Sequence, residues 1–260
     1  MKDITLNLLN TKIKEIREDN ESGSSEIAEN AVRVFNQAAT LLPRKKDIAD
    51  IEKIAEKLKA AKPAMAAVRT LIDVALEELG KLDEPFDYFP VMGKILKNKR
   101  EATRISIEKC RIGIFELFDN PVVMTCSYSS AVARLFGESS DKKLTVLALE
   151  SKYKGHDFAE KMIQKCKESG INAEYIAEGD TDMALKRADC VVTGADRVLP
   201  DGSAVNGSPS LFLARQAYPD TPFYVIAESY KYSGLGELAE GFEEVPCGII
   251  TKIYSDDIFK

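Results

Sequence analysis

The 260 residues are 45% hydrophobic and 30% charged, with a net charge of -6 and both signs interspersed. Such a chain can bury a sizeable core, while nucleic-acid recognition is disfavoured because counterion release requires clustered cations. One histidine, His156, and five scattered cysteines with no Cys-x-x-Cys pair argue against a zinc site, a disulfide framework and a Ser-His-Asp engine, so no metal and no cofactor are expected.

The opening stretch, MKDITLNLLNTKIKEIREDN, alternates charge with aliphatic side chains at helical spacing. It lacks the apolar block and small-residue cleavage site of a signal peptide, and no run of roughly 18 apolar residues suggests a membrane span, so a cytoplasmic, membrane-free protein is expected. Gly23-Ser24-Ser25 offers an N-cap, after which Ile27, Ala31, Phe35 and Ala38 recur at helix spacing and Pro43 ends the run. Ile51, Ile54, Ala55 and Leu58 repeat the signature. KPAMAAVRTLIDVALEEL follows with Pro63 near its first turn, Gly80 and Asp83-Glu84-Pro85 make a break, and an amphipathic stretch runs from Val91 to Phe118. Residues 1–118 therefore read as an all-helical N-terminal domain of the kind that packs as a bundle.

Beyond Pro121 the rhythm changes to short β-branched runs separated by helical segments. Strands are expected at PVVMTC, KLTVLALE, NAEYIAE, CVVTGA and PFYVIAE, with helices near 129–137, 156–169, 181–188 and 208–218. Near-continuous apolar strands alternating with helices imply a parallel, doubly wound sheet, so residues 119–260 form an α/β domain. Polar residues then gather where each strand ends: Thr125-Cys126-Ser127-Tyr128-Ser129-Ser130, Glu150-Ser151-Lys152, Glu178-Gly179-Asp180, Gly194-Ala195-Asp196 and Glu228-Ser229. Open α/β sheets bind ligands along that edge, and Asp196 is expected at the rim of a cleft. Any one of these acids could equally cap its own loop, but five at strand ends are harder to assign that way.

Two loops suit an anion. Ser127, Tyr128, Ser129 and Ser130 lead from the first strand into a helix whose exposed N–H groups could cradle phosphate. In Asn206-Gly207-Ser208-Pro209-Ser210, Gly207 permits close backbone approach, Ser208 is a natural N-cap and Pro209 suits the first helical position. Lys152, Lys154 and Lys231 could supply cations, and Cys126 an acid or base, although a thiol at a strand end is more often a small buried hydrophobe. No Gly-x-Gly-x-x-Gly or Walker motif is present, which weakens dinucleotide and nucleoside-triphosphate readings.

Together VMTCSYSS, GADRVLPDGSAVNGSPS, TPFYVIAESYKY and EVPCGIITKIYSDD resemble the superfamily of translation initiation factor 2B regulatory subunits and their enzymatic relatives, methylthioribose-1-phosphate isomerase and ribose-1,5-bisphosphate isomerase. KPAMAAVR in the helical lobe is similar to the family's helix start, so the resemblance covers essentially the whole chain. It implies a Rossmann-like C-terminal domain preceded by the helical one, a ligand held between the lobes, and homodimers or larger homo-oligomers formed largely through the C-terminal domain. It implies either a regulatory protein binding a phosphorylated sugar or nucleotide, with a translation-factor partner, or an aldose-ketose isomerase acting on a ribose 1-phosphate such as ribose 1,5-bisphosphate.

The resemblance carries a proton-shuttling aspartate onto Asp196; a rearranged isomerase would use Cys126 as its partner, and the strand ends and loops above offer Ser127, Tyr128, Ser129, Ser130, Glu150, Asn206, Gly207, Ser208 and Lys231 as ligand contacts. Two positions depart from the isomerases. Their Thr-His-Cys reads Thr125-Cys126-Ser127 here, which displaces the thiol by one residue and points it elsewhere. Their Asn-Lys-Ile-Gly-Thr reads Asn206-Gly207-Ser208-Pro209-Ser210, without the lysine. These losses favour regulation over turnover.

Overall fold

The computed structural model describes residues 2–83 and 87–259. Glu84 and Pro85 of the expected break lie outside the described residues. The chain forms two compact units divided between Glu101 and Ala102.

In the first unit, helices α1 (Lys2–Glu18), α2 (Ser24–Leu41), α3 (Ile48–Ala61) and α4 (Ala66–Leu79) precede α5 (Phe89–Phe115), within which the division falls. The buried stripe of α2 contains Ile27, Ala31, Phe35 and Ala38, and its small residues let it pack closely against α4. Gly23, not a serine, occupies the cap position, and Ser24 and Ser25 already lie in the first turn. Phe35 meets Tyr88 edge-on at 5.4 Å, and the Tyr88 hydroxyl donates to the Ala75 carbonyl at 2.8 Å, so the buried phenol keeps a partner.

The second unit alternates strand and helix in the expected way. Its elements in chain order are β1 (Val122–Cys126), α6 (Ser130–Gly137), β2 (Thr145–Leu149), β3 (Lys152–Tyr153), β4 (His156–Asp157), α7 (Phe158–Glu168), β5 (Asn172–Ile176), α8 (Thr181–Leu185), β6 (Cys190–Gly194), β7 (Arg197–Val198), β8 (Ala204–Gly207), α9 (Ser210–Ala217), β9 (Phe223–Ile226), β10 (Phe242–Val245) and β11 (Lys252–Tyr254). Strands pair in the order β11-β9-β6-β1-β2-β5, every pair parallel. Counted along the chain, the central six run third, second, first, fourth, fifth, sixth, the order of a doubly wound Rossmann-like sheet.

Both faces of this sheet are covered. Val123 and Val146 enter one core with Ile107, Leu135 and Met162, while Met124 and Leu147 enter the other with Leu213, Ala214 and Val225. Two buried faces explain why β1, β2, β6 and β9 read as continuous apolar runs, while the edge strand β5 is more polar. The structure adds what those runs did not announce: the edge strand β11, the β3–β4 hairpin, and an antiparallel sheet ordered β10-β8-β7. His156 lies in that hairpin instead of opening α7; the Asp157 carboxylate caps the helix, accepting from the Ala159 and Glu160 amides at 3.0 and 3.1 Å.

Candidate functional site

Strands β1 and β6 are neighbours where the strand order reverses, and a doubly wound sheet opens its crevice at the carboxyl ends of such a pair. Cys126 ends β1 and Gly194 ends β6, with Asp196 two residues beyond. Carrying the Met124–Val191 register forward sets Ser127 beside Gly194. Ser127 adopts a left-handed φ of 56°, uncommon for a residue with a Cβ, and turns the chain sharply out of the sheet. Its amide donates to Ser151 Oγ at 2.8 Å, and Ser151 donates in turn to the Leu149 carbonyl at 2.8 Å. A side chain at position 194 would strike Ser129, whose Oγ caps α6 by accepting from the Val132 amide at 3.4 Å.

The antiparallel sheet supplies the other wall. Its register aligns Arg197, Val205 and Glu244 on one face and Asn206 with Glu243 on the opposite face. The Asp196 amide donates to the Val205 carbonyl at 2.8 Å, anchoring the acid's backbone beside Asn206. Asn206 Nδ2 donates to Ser210 Oγ at 2.8 Å and reaches Ser127 Oγ at 3.5 Å, joining the two loops expected to hold an anion.

Cys126 closes this network. Its sulfur lies 3.4 Å from Ser210 Oγ, and the single Ser210 hydroxyl proton is given to the Gly207 carbonyl, so the sulfur donates. Burial pushes the thiol pKa up to about 12, offset in part by the Ser210 contact and reinforced by the negative charge of Glu243. At neutral pH Cys126 is a protonated hydrogen-bond donor. That state opposes the acid–base role expected of it.

The start of α9 differs from expectation. The helix begins at Ser210 with Pro209 in the cap position, which leaves Ser208 outside and unable to cap. Glu243 reaches across from β10 instead: one carboxylate oxygen accepts from Ser208 Oγ at 2.9 Å, the other from the Leu211 amide at 2.8 Å. The acid neutralises the positive end of the helix from a distant part of the chain.

Other expected contacts are otherwise engaged. Tyr128 carries the Lys161 ammonium 4.2 Å over its ring, and Ser130 is exposed at the first turn of α6. Glu150 pairs with Lys152 at 2.6 Å. Lys231 is only 2% exposed and pairs at 2.9 Å with Glu228, which is wholly buried and also accepts from Thr103 Oγ1 at 2.9 Å. Burial opposes ionisation of Glu228, but the Lys231 charge and these hydrogen bonds outweigh it and hold the carboxyl below its ordinary range.

The structure thus gathers Cys126, Ser127, Asn206, Gly207 and Ser208 into one contact network. Asp196 stands beside that network through its backbone, whereas Tyr128, Glu150 and Lys231 have partners of their own. Three members carried no assigned role from the sequence: Ser151, Ser210 and Glu243. Ser151 and Ser210 lay within singled-out stretches, but Glu243 had only the alternation of Phe242-Glu243-Glu244-Val245 to signal a strand.

Residues 20–245 match the model of the Initiation factor 2 subunit family. The chain belongs to this family. Among curated relatives, the translation initiation factor eIF-2B subunit 2-like protein of Pyrococcus abyssi is 33% identical over 144 residues, 54% of this chain and 50% of that protein. Ribose 1,5-bisphosphate isomerase of Archaeoglobus fulgidus is 31% identical over 128 residues, 47% of this chain and 39% of that enzyme. The aligned part of the chain spans about half the length of the curated relatives it matches, or less. The solved translation initiation factor eIF-2B of Pyrococcus horikoshii superposes with a TM-score of 0.83 at 20% identity, covering 95% of this chain and 94% of that one. The 5-methylthioribose 1-phosphate isomerase of the same organism gives 0.66 at 16% identity, covering 95% and 82%. These likenesses establish the helical-plus-Rossmann-like fold, which regulators and isomerases share. Among the described residues no helix is long and apolar enough to cross a membrane.

Proposed function

We propose that the protein is an initiation-factor-2B-like regulatory subunit that binds a phosphorylated sugar or nucleotide at the carboxyl edge of its parallel sheet, without turning it over. The observation that carries this reading is the closed network at the β1 end. There Cys126 is held as a donor to Ser210, and Ser127, the next residue, offers only a weakly acidic hydroxyl. The isomerase reading needs a second proton-transfer group to partner Asp196, and a buried thiol already engaged with Ser210 or an unactivated serine hydroxyl is a poor one.

In this reading the Asp196 carboxylate accepts from a sugar hydroxyl of the ligand. Residues 119–260 carry the binding function in this reading, and the protein works in the cytoplasm as a homodimer or larger homo-oligomer with a translation-factor partner. A structure of the same fold, the eIF2B-beta2-delta2 complex of C. thermophilum, is a tetramer of unlike subunits, which supports oligomerisation in general.

The test is thermal unfolding with ribose 1,5-bisphosphate and with nucleoside monophosphates, followed by a product assay. A ligand at about 100 times its Kd should raise the midpoint by roughly 5–10 °C. Asp196→Asn should weaken that response. Ketose formation from ribose 1,5-bisphosphate would replace this reading with the aldose-ketose isomerase, and the absence of a shift with every probe would end it.

A further inference from the structure

Arg197 is a buried cation whose hydrogen-bonding capacity is mostly unused. It is 4% exposed, yet it forms no ion pair among the described residues. A single contact engages its guanidinium: Nη1 donates to the Leu235 carbonyl at 3.0 Å. Nε is buried without a partner, which leaves open the Nε–Nη2 edge, the fork that matches two oxygens of a carboxylate or phosphate. The acid on the same face of the antiparallel sheet, Glu244, is exposed two strands away and makes no ion pair with it.

A buried charge without a counter-charge keeps its desolvation penalty and recovers little of it. An anion at the fork would supply both the missing hydrogen bonds and the missing charge, whereas a water would supply only the first. The position fits a ligand. Gly194 ends β6 at the carboxyl edge of the parallel sheet, and Arg197 opens β7 directly after it. Val198 packs into the core with Leu213 and Ala214, so alternation turns Arg197 away from that core. Thr125, near the end of the adjoining β1, shares the face of Val123, also away from that core, and its buried Oγ1 likewise lacks a partner. Buried polar groups without partners are rare, and these two fall at the ends of neighbouring strands. Residues 233–241, which supply the Leu235 carbonyl, form no helix or strand, include Gly234, Gly236 and Gly241, and expose Leu235 and Leu238.

We propose that Arg197 is the phosphate-binding residue of this edge: its Nε–Nη2 fork takes two oxygens of the ligand's phosphate, with residues 233–241 as the movable cover. This rests on the ligand-binding reading above and names the group that selects a phosphorylated ligand.

Arg197→Met keeps an aliphatic stem and removes the charge. Without ligand its unfolding midpoint should equal the native one or exceed it by up to about 5 °C, because an uncompensated buried charge has gone. A residue that only packs and holds Leu235 would lower the midpoint instead. Inorganic phosphate, titrated against sodium chloride at matched ionic strength, should raise the native midpoint saturably and leave Arg197→Met unmoved. Arg197→Lys should respond more weakly than the native protein, since an ammonium lacks the fork. Lys97→Met, which removes an exposed cation of α5, should respond as the native protein does. For ribose 1,5-bisphosphate or a nucleoside monophosphate, Arg197→Met should lose about 10–100-fold in affinity, the range for a hydrogen bond to a charged group. A native protein unmoved by inorganic phosphate, a phosphate response that survives in Arg197→Met, or a lowered midpoint in ligand-free Arg197→Met overturns the inference. An Arg197-dependent phosphate response in a protein that binds neither ribose 1,5-bisphosphate nor nucleoside monophosphates would uphold the anion site and end the ligand-binding reading. Equal binding of those ligands by the native protein and Arg197→Met would do the reverse.

Discussion

Replacing Lys231 by methionine would leave Glu228 as a buried carboxylate without its counter-charge. The two groups are 2.9 Å apart, and neither is more than 2% exposed. At an effective dielectric of about 20 their attraction is roughly 6 kcal/mol, most of it offset by the cost of removing both charges from water. Losing one partner forfeits the attraction while the desolvation of the other persists, a net cost of about 3–5 kcal/mol. For a unit of this size the midpoint should fall by roughly 6–20 °C near neutral pH.

The pH dependence distinguishes this mechanism from simple loss of packing. In the native protein the Glu228 carboxyl is held below its ordinary range, so its contribution is complete above that range and is lost as pH falls through the depressed folded value. In Lys231→Met burial acts with far less opposition and raises the folded value above the unfolded one. The variant therefore folds without penalty when Glu228 is protonated, and its deficit grows as pH rises through the ordinary carboxylate range. Thermal unfolding of both proteins at about pH 4.5 and about pH 7.5 reads this directly. Combining Lys231→Met with Glu228→Gln should recover most of the neutral-pH loss, since an amide replaces the unpaired charge. An equal deficit at both pH values, or a deficit below about 1 kcal/mol, would refute the buried-pair account.

Two further outcomes follow from the site. Iodoacetamide at about pH 8 should label Cys247 rapidly and the other four thiols only on unfolding, because those four are buried; prompt native-state labelling of Cys126, located by peptide mapping, would contradict its protonated, hydrogen-bonded state. Ser127→Gly should be neutral or stabilising by up to about 1 kcal/mol, since glycine tolerates the left-handed φ of 56°, whereas Ser127→Val should destabilise; comparable losses in the two variants, measured by denaturant unfolding, would show that the turn is not strained.

Much of the architecture was legible along the chain. Four of the expected runs became inner strands of the parallel sheet, because a strand buried on both faces is hydrophobic at nearly every position, which is a local signature; the fifth, NAEYIAE, became the edge strand β5, which exposes Asn172 and Tyr175. The polar strand ends were visible for the same reason: apolar sequence stops where the sheet stops. The β11 strand was not legible, being three residues with an exposed lysine at an edge. Nor was the antiparallel sheet, whose strands join residues 204–207 to 242–245. Register between such distant segments leaves only a brief alternation in either one.

The amino-acid order by itself settled the helical first part, the parallel α/β second part and the placing of Cys126, Ser127 and Asp196 at strand ends, since periodicity and strand length are properties of neighbours. Tertiary structure alone decided what those groups are chemically. Cys126 stays protonated because folding buries it and sets the Glu243 charge near it, outweighing the Ser210 contact made across 84 residues; Lys231 is buried against Glu228 instead of solvated, and the start of α9 receives Glu243 from another strand. Charge state and hydrogen-bond direction depend on what lies within a few ångströms, and in this chain the decisive neighbours of Cys126 and of the α9 start are remote in sequence.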